Sequence, residues 1–303
     1  MTSLIGNLSI LCWMIAASGI AWYSLNLTRE ITYVTLADGR RQARSLPFVF
    51  KLLLPFAGNL KPLLMAPKFA EAREKADRKI VTAGFEGLLT GWEFLAIRIL
   101  NPIVMGVIFG IVIGILGMSD ESIRSNFWML EIIGILLFAL QPSMWLSQTI
   151  KNRQKSILRA MPFMIDLLTL SVEAGVDFMN ALQRSIESRK MDALTEELIR
   201  VNHEIQLGTP RRTALKNLAL RVDMADMRSF AFALIQADEL GVSIGTILRI
   251  QSDQMRQKRF ARAERLANEA PVKMLFPLMI FIFPAVFIVL LAPILSKVGN
   301  GVL

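Results

Sequence analysis

RQKRFARAERLANEAPVKMLFPLMIFIFPAVFIVLLAPIL, Arg256 to Leu295, changes character halfway along. Its first half is charged and helix-prone. Its second half is apolar over about 20 residues, the length a helix needs to cross ~30 Å of hydrocarbon. Pro271, Pro277, Pro284 and Pro293 punctuate it, and each removes a backbone hydrogen bond and invites a bend. No loop signal separates the halves. A basic helix is therefore expected to run straight into a membrane span, with Pro271 and Lys273 at the junction.

The rest of the 303-residue chain, 53% hydrophobic with a net charge of +9, has the same uneven texture. Apolar residues gather in four runs, 4–27, 99–118, 127–147 and 274–295, each near spanning length. Asn7, Ser9, Ser18 and Asn26 dilute the first run. It has no basic segment before it and no small-residue cleavage site after it, so it reads as a span rather than a signal peptide. Of 34 Lys and Arg, 12 fall in 28–98 and 20 in 148–273, against one each in the 119–126 loop and the C-terminal tail. Cytoplasmic loops collect Lys and Arg near membrane ends. Residues 28–98 and 148–273 are thus expected in the cytoplasm and both termini in the periplasm. No basic cluster is interleaved with aromatics, so nucleic acid is not an expected partner. Cys12 is alone, which leaves no disulfide and no thiol metal site. His203 is the sole histidine and reads as an ordinary helix residue.

Residues 148–273 read as helices. Met161, Ile165, Leu168 and Val172 share one helix face, as do Leu194, Leu198, Val201 and Ile205, and Met227, Phe230, Leu234 and Ala237. Gly175, Gly208 and Gly241 follow three of the stripes and suit left-handed helix ends. Asp177, Thr209-Pro210 and Ser243 then stand where the next helices should start. Six helices are expected, near 150–174, 177–188, 192–207, 210–222, 224–240 and 243–270, joined by turns short enough for antiparallel neighbours. Residues 28–98 carry prolines at 47, 55, 62 and 67. That segment is too interrupted to span and reads as an interfacial or bundle-packed helical stretch. The expected fold is an all-α membrane protein: about four transmembrane helices and a cytoplasmic six-helix bundle continuous with the last of them.

Chemical motifs are missing from the sequence. No stretch fits GxxxxGK[ST], HExxH or CxxC, and a lone histidine makes a catalytic triad untenable. No enzyme activity, cofactor or metal is expected. Glu131 is the one acid well inside a span, where ionisable groups by default mark function; an interfacial position explains it as well. Gly106, Gly110 and Gly114 stand four apart in the second span and would let another helix approach closely, either in the same chain, at Gly134, or in another subunit. A transporter or channel subunit would need more polar residues in its spans. A membrane-anchored sensor with a helical ligand-binding domain remains an alternative.

Three stretches carry a resemblance: SVEAGVDFMNAL (Ser171–Leu182), QADELGVSIGTIL (Gln236–Leu248) and APVKMLFPLMIFIFPA (Ala270–Ala285). With the sequence around them, from about Gln141 to Leu295, they resemble the type II secretion system F family. Within it the chain looks most like the TadC-type platform proteins of the Tad (Flp, tight adherence) pilus machine, and AGFEGLLTGWEFLAIRIL before the second span looks similar more weakly. Secretion-type members carry two copies of the helical domain; this chain shows one. The resemblance implies a non-enzymatic platform in the bacterial inner membrane. Its implied partners are a hexameric cytoplasmic ATPase, a sister TadB-type platform protein or further copies of itself, and pilin subunits. Arg159, Asp166 and Glu173 recur every seven residues on one helix face, and Glu239 precedes Gly241 as Glu173 precedes Gly175. These four are candidates for contacting a partner; their alternative is pairing with basic residues of neighbouring helices.

Overall fold

The computed structural model describes residues 33–35, 41–43, 46–116 and 126–299; the expected first span, 4–27, lies outside the described residues. The described residues are helical apart from a small antiparallel ribbon, β1 (Tyr33–Thr35) and β2 (Arg41–Ala43), which pairs Tyr33 with Ala43. That ribbon departs from the all-helical expectation for 28–98. Then come α1 (Phe48–Ala57), α2 (Lys61–Leu64), α3 (Ala70–Ala83), α4 (Gly91–Leu116), α5 (Phe127–Glu173), α6 (Phe178–Glu187), α7 (Ala193–Gln206), α8 (Arg211–Val222), α9 (Ala225–Leu240) and α10 (Ile244–Gly299), with 3₁₀ turns on either side of α2.

Local chemistry explains most boundaries. Asp177 caps α6 by accepting a hydrogen bond from the Met179 N–H at 2.9 Å. Asp192 caps α7 through the Thr195 N–H. Gly175, Gly208 and Gly241 have φ of 87°, 94° and 64°, and a Cβ on any of them would meet nothing within 4 Å. Backbone conformation, not space, is what calls for glycine there. One expectation shifts: α8 begins at Arg211, with Pro210 rather than Thr209 in the cap position and no side-chain cap bond.

The larger difference is continuity. The third apolar run and the first bundle helix form one unbroken helix, α5, of 47 residues. Residues 148–150 contain no glycine or proline, so a change from apolar to charged alone does not stop a helix. Pro142 and Pro162 lie inside α5 and are buried. The same holds for α10, which continues through Pro271, Pro277, Pro284 and Pro293. Among the described residues three helices, within Gly91–Gly114, Phe127–Glu173 and Ile244–Leu291, are long and apolar enough to cross a membrane. The segments Phe48–Leu64 and Pro67–Ala83 pass that test only together, bent by 112°.

Two cores result. The bundle core takes Ile157, Met161, Ile165 and Leu168 from α5 and closes them with Leu182, Leu198, Leu218, Leu234 and Leu248. A second core joins Phe50 and Leu53 of α1 and Ile80 of α3 to Ile97 of α4 and Leu146 of α5, with Trp145 edge-on to Phe50 at 4.9 Å. Further along, α4 and α5 pack as a pair. Asn101 donates to the Phe138 carbonyl at 2.7 Å and to Gln141 at 3.0 Å, and the Phe109 ring fills the space left by Gly134.

Gly106 and Gly110 face this seam: a Cβ would stand 2.9 Å from Ile135 at the first and 3.0 Å from the Glu131 carboxylate at the second. At Gly114 it would meet nothing within 4 Å. Gly110→Leu should therefore force α4 from α5 and destabilise the protein in detergent by about 1–3 kcal/mol, as overpacking does. Gly114→Leu should leave its unfolding midpoint unchanged. Equal effects would mean that the seam is not where the close contact lies.

Candidate functional site

The four partner-contact candidates separate once the helices are placed. Asp166 faces α10, where its carboxylate accepts a hydrogen bond from the Ser252 hydroxyl and pairs with Arg256 at 3.2 Å. Glu173 pairs with Arg249 of α10 at 3.6 Å. Glu239, near the end of α9, pairs with Arg212 of α8 at 2.7 Å. All three acids close contacts within the chain. Arg159 does not: it is exposed on α5 and lines an open polar groove.

Asp166 and Glu173 thus form a seam between the two long helices that leave the bundle. Buried apolar residues back it: Leu168 on α5, Leu248 and Met255 on α10. Beyond Met255, α10 is exposed as far as Leu291, apart from half-buried Glu269; its last contacts with other described helices are the pairs Arg256–Asp166 and Lys258–Asp226, the latter at 2.6 Å. Glu269 accepts hydrogen bonds from Arg265 and Lys273, each at 3.0 Å. Lys273, expected at the membrane edge, is thereby tied to its own helix.

Sequence reasoning missed a buried ionic network. Arg153 of α5 is 8% exposed and donates to Glu196 at 2.7 Å and to Glu197 at 2.9 Å, both carboxylates being equally buried. Arg221 of α8 pairs with Glu197 at 3.0 Å and with Glu204 at 2.5 Å. Arg200 of α7 then reaches out of the bundle to Glu86, in the turn between α3 and α4. At Gly84, φ is 81° and the Arg153 guanidinium lies 2.7 Å from where a Cβ would be, so side chain and turn interlock. The network fastens the bundle to the layer of α3 and α4. Its one sequence signal is that Glu197 lies beside the apolar face of α7 made by Leu194, Leu198 and Val201; Glu196 stands on the opposite side and gives none.

Three carboxyls beyond the spans are shifted, and the Lys75 hydrogen bond lowers the first, Glu71. Hydrogen bonding from Arg200 holds Glu86 below its ordinary value of 4.5, outweighing partial burial. Burial opposes ionisation of Asp192, but the Thr195 N–H and Arg189 more than compensate and lower its value. Among the described residues no group of three or more His, Cys, Asp or Glu is placed to hold a metal.

Residues 164–292 match the family model of Type II secretion system (T2SS), protein F, and over that segment the chain carries a domain of this family. Neither a curated protein nor a solved structure matches it. The domain, under half of the chain, and the apolar helices indicate a multi-pass membrane protein of the platform kind found in type II secretion and type IV pilus-like machines. Such proteins are structural rather than enzymatic, and work with secretion ATPases and other platform proteins.

Arg153→Met should take the buried guanidinium away from Glu196 and Glu197 and cost about 3–5 kcal/mol in denaturant unfolding, the usual effect of removing one partner of a buried ion pair. Arg212→Ala, at a half-exposed pair, should cost under about 1 kcal/mol. The Glu86–Arg200 link adds an acid dependence. A lowered folded pKa stabilises above the ordinary value of 4.5, and that stabilisation is lost as pH falls through the lowered value. Wild type should thus lose stability on acidification below about pH 4.5 more steeply than Glu86→Gln, read as unfolding midpoints across a pH series. Identical profiles would remove Glu86 from the linkage.

Proposed function

We propose that this protein is a TadC-type platform of a Tad (Flp) pilus assembly machine, coupling a hexameric cytoplasmic ATPase to the extraction of pilin from the inner membrane. The bundle faces the cytoplasm, as the density of Lys and Arg in 148–273 favours, and both termini face the periplasm. A sister platform of the TadB type completes the assembly. The observation that carries this reading is the pair of helices α5 and α10, each running from the bundle into a membrane-length apolar segment without a break. A push on such a bundle moves the spans, because a continuous helix transmits displacement where a flexible loop would absorb it. The sequence has no nucleotide-binding motif of its own, so the motive force comes from another subunit.

Two experiments test it. Gentle solubilisation of native membranes and capture through a C-terminal tag should recover a secretion-type ATPase and a second F-family protein; recovery with transporter or signalling subunits instead would defeat the reading. A flexible Gly-Ser stretch inserted between Ala270 and Lys273 should leave membrane insertion intact and abolish surface pili. Normal piliation by that variant would show that α10 is not a coupling element.

A further inference from the structure

Arg159 stands on the rim of an open groove of about 560 Å³. Asn152, Lys155, Ser156 and Arg159 form one wall along a single face of α5, opposite the face that buries Arg153, Ile157 and Met161. Arg189 and Asp192, in the connection between α6 and α7, form the other. The lining therefore holds three cations and one carboxylate, and that carboxylate is already engaged. Asp192 accepts from Arg189 at 2.7 Å with one oxygen and from the Thr195 N–H at 2.8 Å with the other. The Arg189 guanidinium is also held over the Phe163 ring, 5.2 Å from its centre. Among the described residues neither Lys155 nor Arg159 has a carboxylate within ion-pair distance. Both are exposed, one helical turn apart, beside the polar side chains of Asn152 and Ser156.

We infer that this groove docks an acidic segment of the cytoplasmic partner, with carboxylates spaced to meet Lys155 and Arg159 together. The inference rests on the platform reading and names the surface that the ATPase engages. Distance argues against a lipid headgroup as the occupant. Arg159 lies twelve residues beyond Ser147, the end of the apolar run, which at 1.5 Å per residue is about 18 Å along the helix. The headgroup layer extends only about 5–8 Å beyond the hydrocarbon. Nucleic acid would want open aromatic faces, and the one ring at the groove, Phe163, carries the Arg189 guanidinium. An acidic protein segment meets both constraints, and pairing across an exposed groove favours fast, salt-sensitive association. A load applied there passes directly into the membrane segment of α5, because groove and span belong to one helix.

The test uses the full chain in lipid nanodiscs and the purified secretion-type ATPase of the same cell, with affinity measured across a salt series. Wild type should bind, more weakly as salt rises. The K155E/R159E double variant should bind at least about tenfold more weakly, K155Q/R159Q should lie between, and K216E, a reversal of an exposed charge on α8, should match wild type. The glutamine variant tests the groove even if charge reversal disturbs folding, and equal thermal melts show that each variant is intact. Undiminished ATPase binding by both double variants overturns the groove and leaves the platform reading standing. So does a loss confined to vesicles containing phosphatidylglycerol, which would make the groove a lipid site. Failure of wild type to bind the ATPase overturns both.

Discussion

The hydrogen-bond ladder of α5 runs from Phe127 to Glu173, about 70 Å, and nearly every packed element leans on it. Its first part receives α4 across Gly106 and Gly110, its middle receives α1 and α3 around Trp145 and Leu146, and its last part supplies the spine of the bundle core. Pro142 and Pro162 each delete a bond from this ladder, a change that costs about 3 kcal/mol in an isolated helix. The helix persists because both prolines are buried in packed surroundings, where neighbouring helices constrain its course. What looks from composition like a membrane span followed by a soluble domain is thus one mechanical element.

Charge is used in two ways along that element. At the seam with α10, the Asp166–Arg256 and Glu173–Arg249 pairs are partly exposed, and such pairs contribute little to stability. Their effect is on orientation, since they align two helices whose contact is otherwise apolar. Around Arg153 the charges are withdrawn from water, and only a complete set of partners makes this tolerable. The chain Arg153–Glu197–Arg221–Glu204–Arg200–Glu86 admits one arrangement of α5, α7, α8 and the α3–α4 turn. A hydrophobic contact could slide by a side chain; this one cannot slide without leaving a buried charge alone. It sets the pose of the bundle against the membrane-adjacent layer.

The bundle helices were legible because their signals are local. Asp177 caps its own helix, and the glycines at 175, 208 and 241 need no distant contact to explain them. The continuity of α5 was equally available but easily misread. The charged stretch after Ser147 looks like a boundary, whereas the same transition in reverse at Lys273 reads at once as a continuous helix. The first site contains no residue that stops a helix, and at the second α10 continues through Pro271. The candidate surface was half legible. Arg159, Asp166 and Glu173 do share a face, but only the position of α10 decides that the two acids turn inward and the arginine is left outside. The Arg153 network was hidden for a related reason. Adjacent glutamates on a helix ordinarily mean solvent, and it takes an arginine more than forty residues away to bury them.

The two exits from the bundle differ in what holds them, and this has a mechanical consequence. α5 leaves within a packed layer, with Leu146 buried and the Asn101 hydrogen bonds gripping it further along. α10 makes its last such contact at Lys258, paired with Asp226 of α9, and from there runs exposed for about 50 Å beside no other described element. With no tertiary contact to stabilise it, the polar part of that segment depends on local support. The Arg265–Glu269–Lys273 pairs, four residues apart, are of the kind that strengthens a solitary helix. A torque on the bundle therefore meets resistance at α5 and little at α10. The bundle would turn about its anchored helix and swing the free one, and the span that moves is the one whose apolar surface lies open to whatever shares the bilayer with it.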